Sequence, residues 1–250
     1  MRTSEWICFV FLGLFPVLSM IRPLPLRQRI RVVALGVCGV LLIWLGTNRA
    51  VLRDWIPAVL MLFVYWQGGS FFSRTNEKLQ AYLERFDERF LLKLPVRINL
   101  FWEIAYFFCY PLVPGAIATL NALNLQSQVD FFWSVVLPPT FLCHFIVSFY
   151  PTYPPWKFRD VSLPGPLRKL NFLVIRHASI HVNTFPSAHV AASMAIAFAM
   201  LHLQWIAGLV FLFLAISITV STVVGRYHYA ADALFGLLLA LGWYVIAISL

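Results

Sequence analysis

Two short stretches of this 250-residue chain combine side chains that can act together on a substrate. Asn183-Thr184-Phe185-Pro186-Ser187-Ala188-His189 opens one apolar segment, and Gly225-Arg226-Tyr227-His228-Tyr229-Ala230-Ala231-Asp232 opens the last. Ser187 is a good helix N-cap, and the free backbone N–H groups of a helix start attract an anion. Its hydroxyl adds a donor, and small Ala188 lets a ligand approach the backbone. His189 falls in the first turn, where an imidazole binds phosphate oxygens or donates a proton. In the second stretch His228 and Asp232 are four residues apart, a spacing that puts them on one face of a helix. The carboxylate would accept from one ring nitrogen, fix the tautomer and leave the other nitrogen as nucleophile or base. Arg226 would offer a bidentate fork to phosphate. The shared chemistry is the handling of a phosphate group. The plainer alternatives are a capped helix with an interfacial histidine, and an interfacial ion pair.

The elements that must position these groups are membrane spans. Apolar residues make up 61% of the chain and charged ones 12%, against about 45–50% and roughly 25% in a soluble domain. The apolar runs are continuous, not alternating in polarity, which excludes a membrane barrel. The fold class is therefore all-α, a polytopic transmembrane helical bundle and an integral membrane protein. Apolar stretches at about 5–21, 32–47, 56–73, 99–120, 130–150, 185–203, 206–224 and 229–250 predict about eight spans. The first is read as a helix, not a removed signal peptide. Two crossings separate the two motifs, so both surface on the same side.

Between the spans lie three polar connections. Residues 22–31 form a basic loop. Residues 74–97 carry Leu79, Tyr82, Leu83, Phe86, Phe90 and Leu94 at spacings of three and four, which predicts an amphipathic helix in the interface plane or a solvated connector. Residues 151–184 begin with a proline-rich run through Pro154-Pro155-Trp156 and carry Lys157, Arg159, Arg168, Lys169, Arg176, His177 and His181. That segment is read as a lid or mouth for an anionic group, or as an ordinary interfacial loop. Glu103, near the start of its helix, is read as an interfacial carboxylate; His144 and His202 are read as core and opposite-side residues without a role. The four cysteines, all inside apolar runs, are read as buried hydrophobes. The formal charge of +9 includes no long basic run and no nucleic-acid motif, so nucleic acid is discounted as a partner.

The motifs resemble the second and third signatures of the type 2 phosphatidic acid phosphatase superfamily, Pro-Ser-Gly-His and Ser-Arg-x5-His-x3-Asp. Here they read Pro186-Ser187-Ala188-His189 and Ser221-Thr222, five residues, His228, three residues, Asp232. The resemblance covers about 56–250, leaving 1–55 as an N-terminal transmembrane extension to a six-helix catalytic domain. It implies that His228 attacks phosphorus to form a phosphohistidine, Asp232 orients it, His189 protonates the departing alkoxide and Ser187 holds phosphoryl oxygens. It also implies a metal-independent enzyme without cofactor, acting on a membrane lipid phosphate or phospholipid. Water would complete a hydrolysis; a second lipid or a polyol would complete a transfer.

Three departures stand out. Ala188 replaces glycine, Thr222 stands where the superfamily has a phosphate-binding arginine, and the first signature, Lys-x6-Arg-Pro, is absent. In the missing arginine, the Pro154-Pro155-Trp156 stretch and the Phe185-Pro186-Ser187-x-His189 form taken together, the chain is similar to inositol phosphorylceramide synthases and sphingomyelin-synthase-like proteins. The positive clamp on phosphate is then expected from Arg226, Lys157, Arg159 or Arg176, with Asn183 nearby. A reading of another class is a zinc site or transporter built on His177, His181, His189 and His228. Of the 19 Lys and Arg, 16 fall in 22–31, 74–97, 151–184 and the turn at 225, which the positive-inside rule puts in the cytoplasm together with the site.

Overall fold

The computed structural model describes residues 1–90, 99–158 and 165–249, and it is helical throughout. The helices are α1 (Thr3–Ile21), α2 (Leu26–Gly46), α3 (Ala50–Gly69), α4 (Glu77–Phe90), α5 (Leu100–Phe107), α6 (Leu112–Ala122), α7 (Val129–Val147), α8 (Pro166–Ala178), α9 (Ala188–Leu203), α10 (Trp205–Val224) and α11 (Ala230–Ser249). Every expected apolar stretch is helical. The 99–120 stretch is broken, however: α5 and α6 meet at 64°. Pro111 stands at the N-cap of α6 and Pro114 in its first turn, and proline can neither donate to the preceding turn nor fit beside it.

By length and composition alone, fewer than the eight expected helices qualify as spans. Among the described residues five helices, α1, α2, the α7 region, α10 and α11, are long and apolar enough to cross a membrane, and the bent α5–α6 pair makes six. The α3 helix is diluted by Arg53, Asp54 and Gln67, of which the last two are buried inside the protein. The α9 helix has 16 residues, about 24 Å of rise against a hydrocarbon core of about 30 Å. The basic loop also shrinks: residues 26–31 belong to α2, since arginine is a good helix former.

This short α9 is the central helix. Ala188, Ala191, Ala195, Ala197 and Ala199 of α9 are buried, and α7, α10 and α11 pack around it. Lipid is as apolar as a core, so close backbone approach through small residues is what holds such helices together. Gly236 of α11 shows the tolerance: a Cβ there would lie 2.6 Å from the Ser187 carbonyl oxygen. The boundary expected at 55/56 falls inside α3. One apolar cluster runs from Phe15 of α1 through Leu60 of α3 and Phe132 of α7 to Ile196 of α9, so the N-terminal helices share the core of the rest.

The amphipathic stretch forms α4 only over Glu77–Phe90; residues 91–97 lie outside the described ones. Leu83 of its apolar side packs on Tyr229 and Ala231, with Leu79, Phe86 and Phe185 around them. Gln80 donates to the Tyr229 hydroxyl at 2.6 Å, and Asp87 accepts from the Ala230 N–H at 2.9 Å. The stripe expected to face the membrane interface thus supports the turn before α11.

Candidate active site

The two motifs meet through Asp232. This fully buried carboxylate sits in the first turn of α11, where the helix dipole favours negative charge. Its Oδ2 accepts from the Tyr229 N–H and from the Asn183 side-chain amide, each at 2.9 Å. Its main-chain carbonyl accepts from the Ser187 N–H at 2.9 Å. Asn183 is in turn held by an isolated bridge to Thr152, with N–H to carbonyl at 2.8 Å and amide to hydroxyl at 3.0 Å. One side chain thus ties α11 to the start of α9 and to the proline-rich segment.

His228 lies 3.4 Å from the same Oδ2 through Nδ1. The i,i+4 pair is not on one helix face, because His228 precedes α11 by two residues. Its N–H, like that of Tyr227, donates to the Thr222 carbonyl at 2.9 Å. Thr222, where an arginine was expected, is fully buried and spends its hydroxyl on the Thr219 carbonyl. The His189 ring stands edge-on to His228 with centroids 5.6 Å apart. Tyr106 and Tyr110 flank His189 at 5.8 and 6.4 Å. A carboxylate-oriented imidazole facing a second imidazole can attack an electrophile and protonate the group that leaves. The 3.4 Å separation is longer than a formed bond, and catalytic hydrogen bonds tighten as substrate binds.

Both histidines and Asn183 line a cavity of about 740 Å³. It runs from His228 past Ala192 to Ile196 of α9, and between Ala58–Leu62 of α3 and Leu112–Pro114 at the broken start of α6. Its lining is largely apolar.

Other expected site residues lie elsewhere. Ser187 is fully buried and does not line the cavity; its hydroxyl caps α9 by accepting from the Val190 N–H at 3.4 Å. Arg226 has φ 62°, which turns its side chain out of the cavity wall and toward Asp87 of α4, at 3.6 Å. The Lys157 ammonium lies over the Tyr153 ring at 3.8 Å, and partial burial lowers its pKa. Arg176 is exposed and does not line the cavity, whereas Val174, Ile175 and Ala178 around it do. Arg159 lies outside the described residues. No Arg or Lys lines the cavity among the described residues. The zinc reading loses its His177/His181 pair, since His177 is exposed against the Leu173 carbonyl. No three His, Cys, Asp or Glu side chains among the described residues are grouped to hold a metal ion.

A buried network went unread in the sequence. Glu103, expected at the interface, is 5% exposed and pairs with Arg168 of α8 at 2.5 Å. Tyr227 donates to Glu103 at 2.7 Å, Asn171 donates to it at 2.8 Å, and Arg168 also donates to the Gly225 carbonyl at 3.2 Å. Burial and the neighbouring carboxylate raise the Tyr227 pKa well above the usual tyrosine value, keeping it a donor. Tyr227 stacks on Tyr106 at 3.5 Å. The network therefore holds the 225–228 turn from behind. An acid in an apolar stretch, and one arginine among the several cations of the 151–184 segment, were its only sequence signal.

The sequence pattern of the PAP2 superfamily matches residues 71–246, which span both motifs and all the cavity walls except that from α3. No curated protein and no solved structure matches the chain.

Proposed function

Because the chain belongs to the PAP2 superfamily, whose membership supports a phosphatase or phosphotransferase type of function, we propose that it acts on a lipid phosphate or phospholipid headgroup through a phosphohistidine at His228. The observation that carries the reading is the pair of His228 and His189 on the wall of a largely apolar cavity, with buried Asp232 behind His228. Asp232 holds the proton on Nδ1 of His228, and Nε2 attacks phosphorus. The P–O bond breaks as His189, protonated once the phosphate anion is bound beside it, gives its proton to the leaving alkoxide. An incoming O–H then loses its proton to His189, its oxygen bonds phosphorus, and the P–N bond breaks. Water completes hydrolysis; an alcohol completes transfer. No step calls for a metal ion.

A transferase with little hydrolysis, of the kind found in inositol phosphorylceramide synthases and sphingomyelin-synthase-like proteins, is the second reading. It is favoured by the apolar reach of the cavity toward α3 and α6, which accommodates lipid better than water. Turnover of phosphorus-labelled phosphatidate in detergent, with and without a lipid or polyol alcohol, tests both. Phosphate release by wild type and none by His228→Ala supports hydrolysis, and product only with acceptor supports transfer. Neither activity in wild type sinks the proposal.

The site faces the cytoplasm in this reading. Setting aside the Lys and Arg of 151–184 and the 225 turn leaves ten on the site side against Arg2, Arg49 and Arg53. Lys169→Cys in a Cys38→Ser background should resist a membrane-impermeant maleimide in intact cells. Labelling there would reverse the orientation.

A further inference from the structure

The cavity carries an imidazole that the mechanism above does not use. His144 of α7 lines it together with Thr140, one turn earlier on the same helix. It is 6% exposed, its ring meets Tyr65 edge-on at 5.2 Å, and its Nδ1 is buried without a hydrogen-bond partner. An unmet polar atom inside a protein is a standing penalty, and those that persist need a reason.

Its neighbours place it at the phosphate end of the cavity. Cys143, the preceding residue, packs against Ala188 and Ala191 in the first turn of α9. Gly68 lets α3 close on α7 at the same level, since a Cβ there would lie 2.4 Å from the His144 carbonyl oxygen. Ala188 and His189 line the same cavity. A neutral imidazole has one N–H and one lone pair. With Nδ1 enclosed, the nitrogen left to meet the cavity is Nε2.

Resting on the phosphate-ester reading, we propose that His144 is a substrate-contacting residue whose Nε2–H donates to a non-bridging oxygen of the bound phosphate ester, beside the N-terminus of α9. It takes part of the role for which position 222 has only a buried threonine.

The test uses the detergent-solubilised full chain and inorganic vanadate, a phosphate mimic that requires no turnover and no knowledge of the lipid. Binding is read as the rise in thermal midpoint with vanadate concentration. His144→Phe keeps the ring and its contact with Tyr65 but removes the donor. It should weaken vanadate by about tenfold or more, as for a lost hydrogen bond to a charged group. Glutamine carries an amide N–H near the place of Nε2, and asparagine near that of Nδ1. His144→Gln should restore affinity and His144→Asn should not. Wild-type affinity in His144→Phe, or rescue by asparagine in preference to glutamine, overturns the proposal. If His144→Phe does not yield folded protein, the Gln–Asn pair decides alone. If wild type itself binds no vanadate, the phosphate-ester reading fails and this inference with it; binding by wild type and by His144→Phe alike removes only the role of His144.

Discussion

The two ends of the bundle both bury carboxylates, and they do so differently. At the end away from the site, Glu5 receives Arg53 at 2.5 and 2.8 Å, and Asp54 receives Arg2 at 2.5 Å. Asp130 beside them accepts from the Ser4 hydroxyl and N–H and the Thr3 N–H. Charge is answered there by guanidinium or by several donors. At the site end Asp232 has an amide, a backbone N–H and a distant imidazole, and its Oδ1 has no partner. A buried acid matched by arginine fixes helices relative to one another. A buried acid matched by a titratable imidazole leaves a proton that can move. Glu103–Arg168 belongs with the first kind, although it lies beside the second.

Substitutions should separate the two kinds. The largest effect on turnover is expected from His228→Ala, which removes the nucleophile: a drop of about 10⁴-fold or more, with the thermal midpoint little changed. An acid-labile phosphoryl group trapped on wild type and absent from the variant checks it. Asp232→Asn keeps the volume but misorients the ring, and should lower kcat by about 10³–10⁴-fold. Loss of the thermal midpoint, with kcat intact, would move Asp232 into the structural class.

The next effect is on stability. Arg168→Met leaves Glu103 as a buried, unmatched acid, at a cost of about 3–5 kcal/mol, and Glu103→Gln in the same chain should recover most of it. Thermal unfolding of the single and double variants measures this. If the double variant is folded but turns over normally, the network only supports; if it is folded and slow, the network also positions His228. The smallest effect is Arg176→Ala. The side chain is exposed and off the cavity, so KM and kcat should change by no more than about twofold, and stability by less than about 0.5 kcal/mol. A tenfold rise in KM would mean that this arginine reaches substrate after all.

What was legible in the chain was local. Ser187 at a helix start shows because capping needs only neighbouring residues. The pairing of His228 with Asp232 shows because four residues keep two side chains close, even though the turn there is not helical. Where the nearby cations point was not legible, for the same reason. Arg226, Lys157 and Arg176 are near the motifs in sequence, but a positive φ, an aromatic neighbour and the rotation between adjacent helix positions send each of them elsewhere.

Composition and apolar run length determined by themselves that this chain is a helical membrane protein, since a bilayer leaves the backbone few alternatives. Motif spacing determined that an acid and two imidazoles open two helices on one side. Only the tertiary structure decided that α9 has just 16 residues and that Asp54 and Gln67 of α3 are buried inside the protein, because both depend on what packs around them. Only it joined Asn183 to Asp232 across 49 positions, matched Glu103 with Arg168, and put His144, read as a core residue, in the cavity wall. Those contacts are long-range in sequence, and their energies exist only once the helices have met.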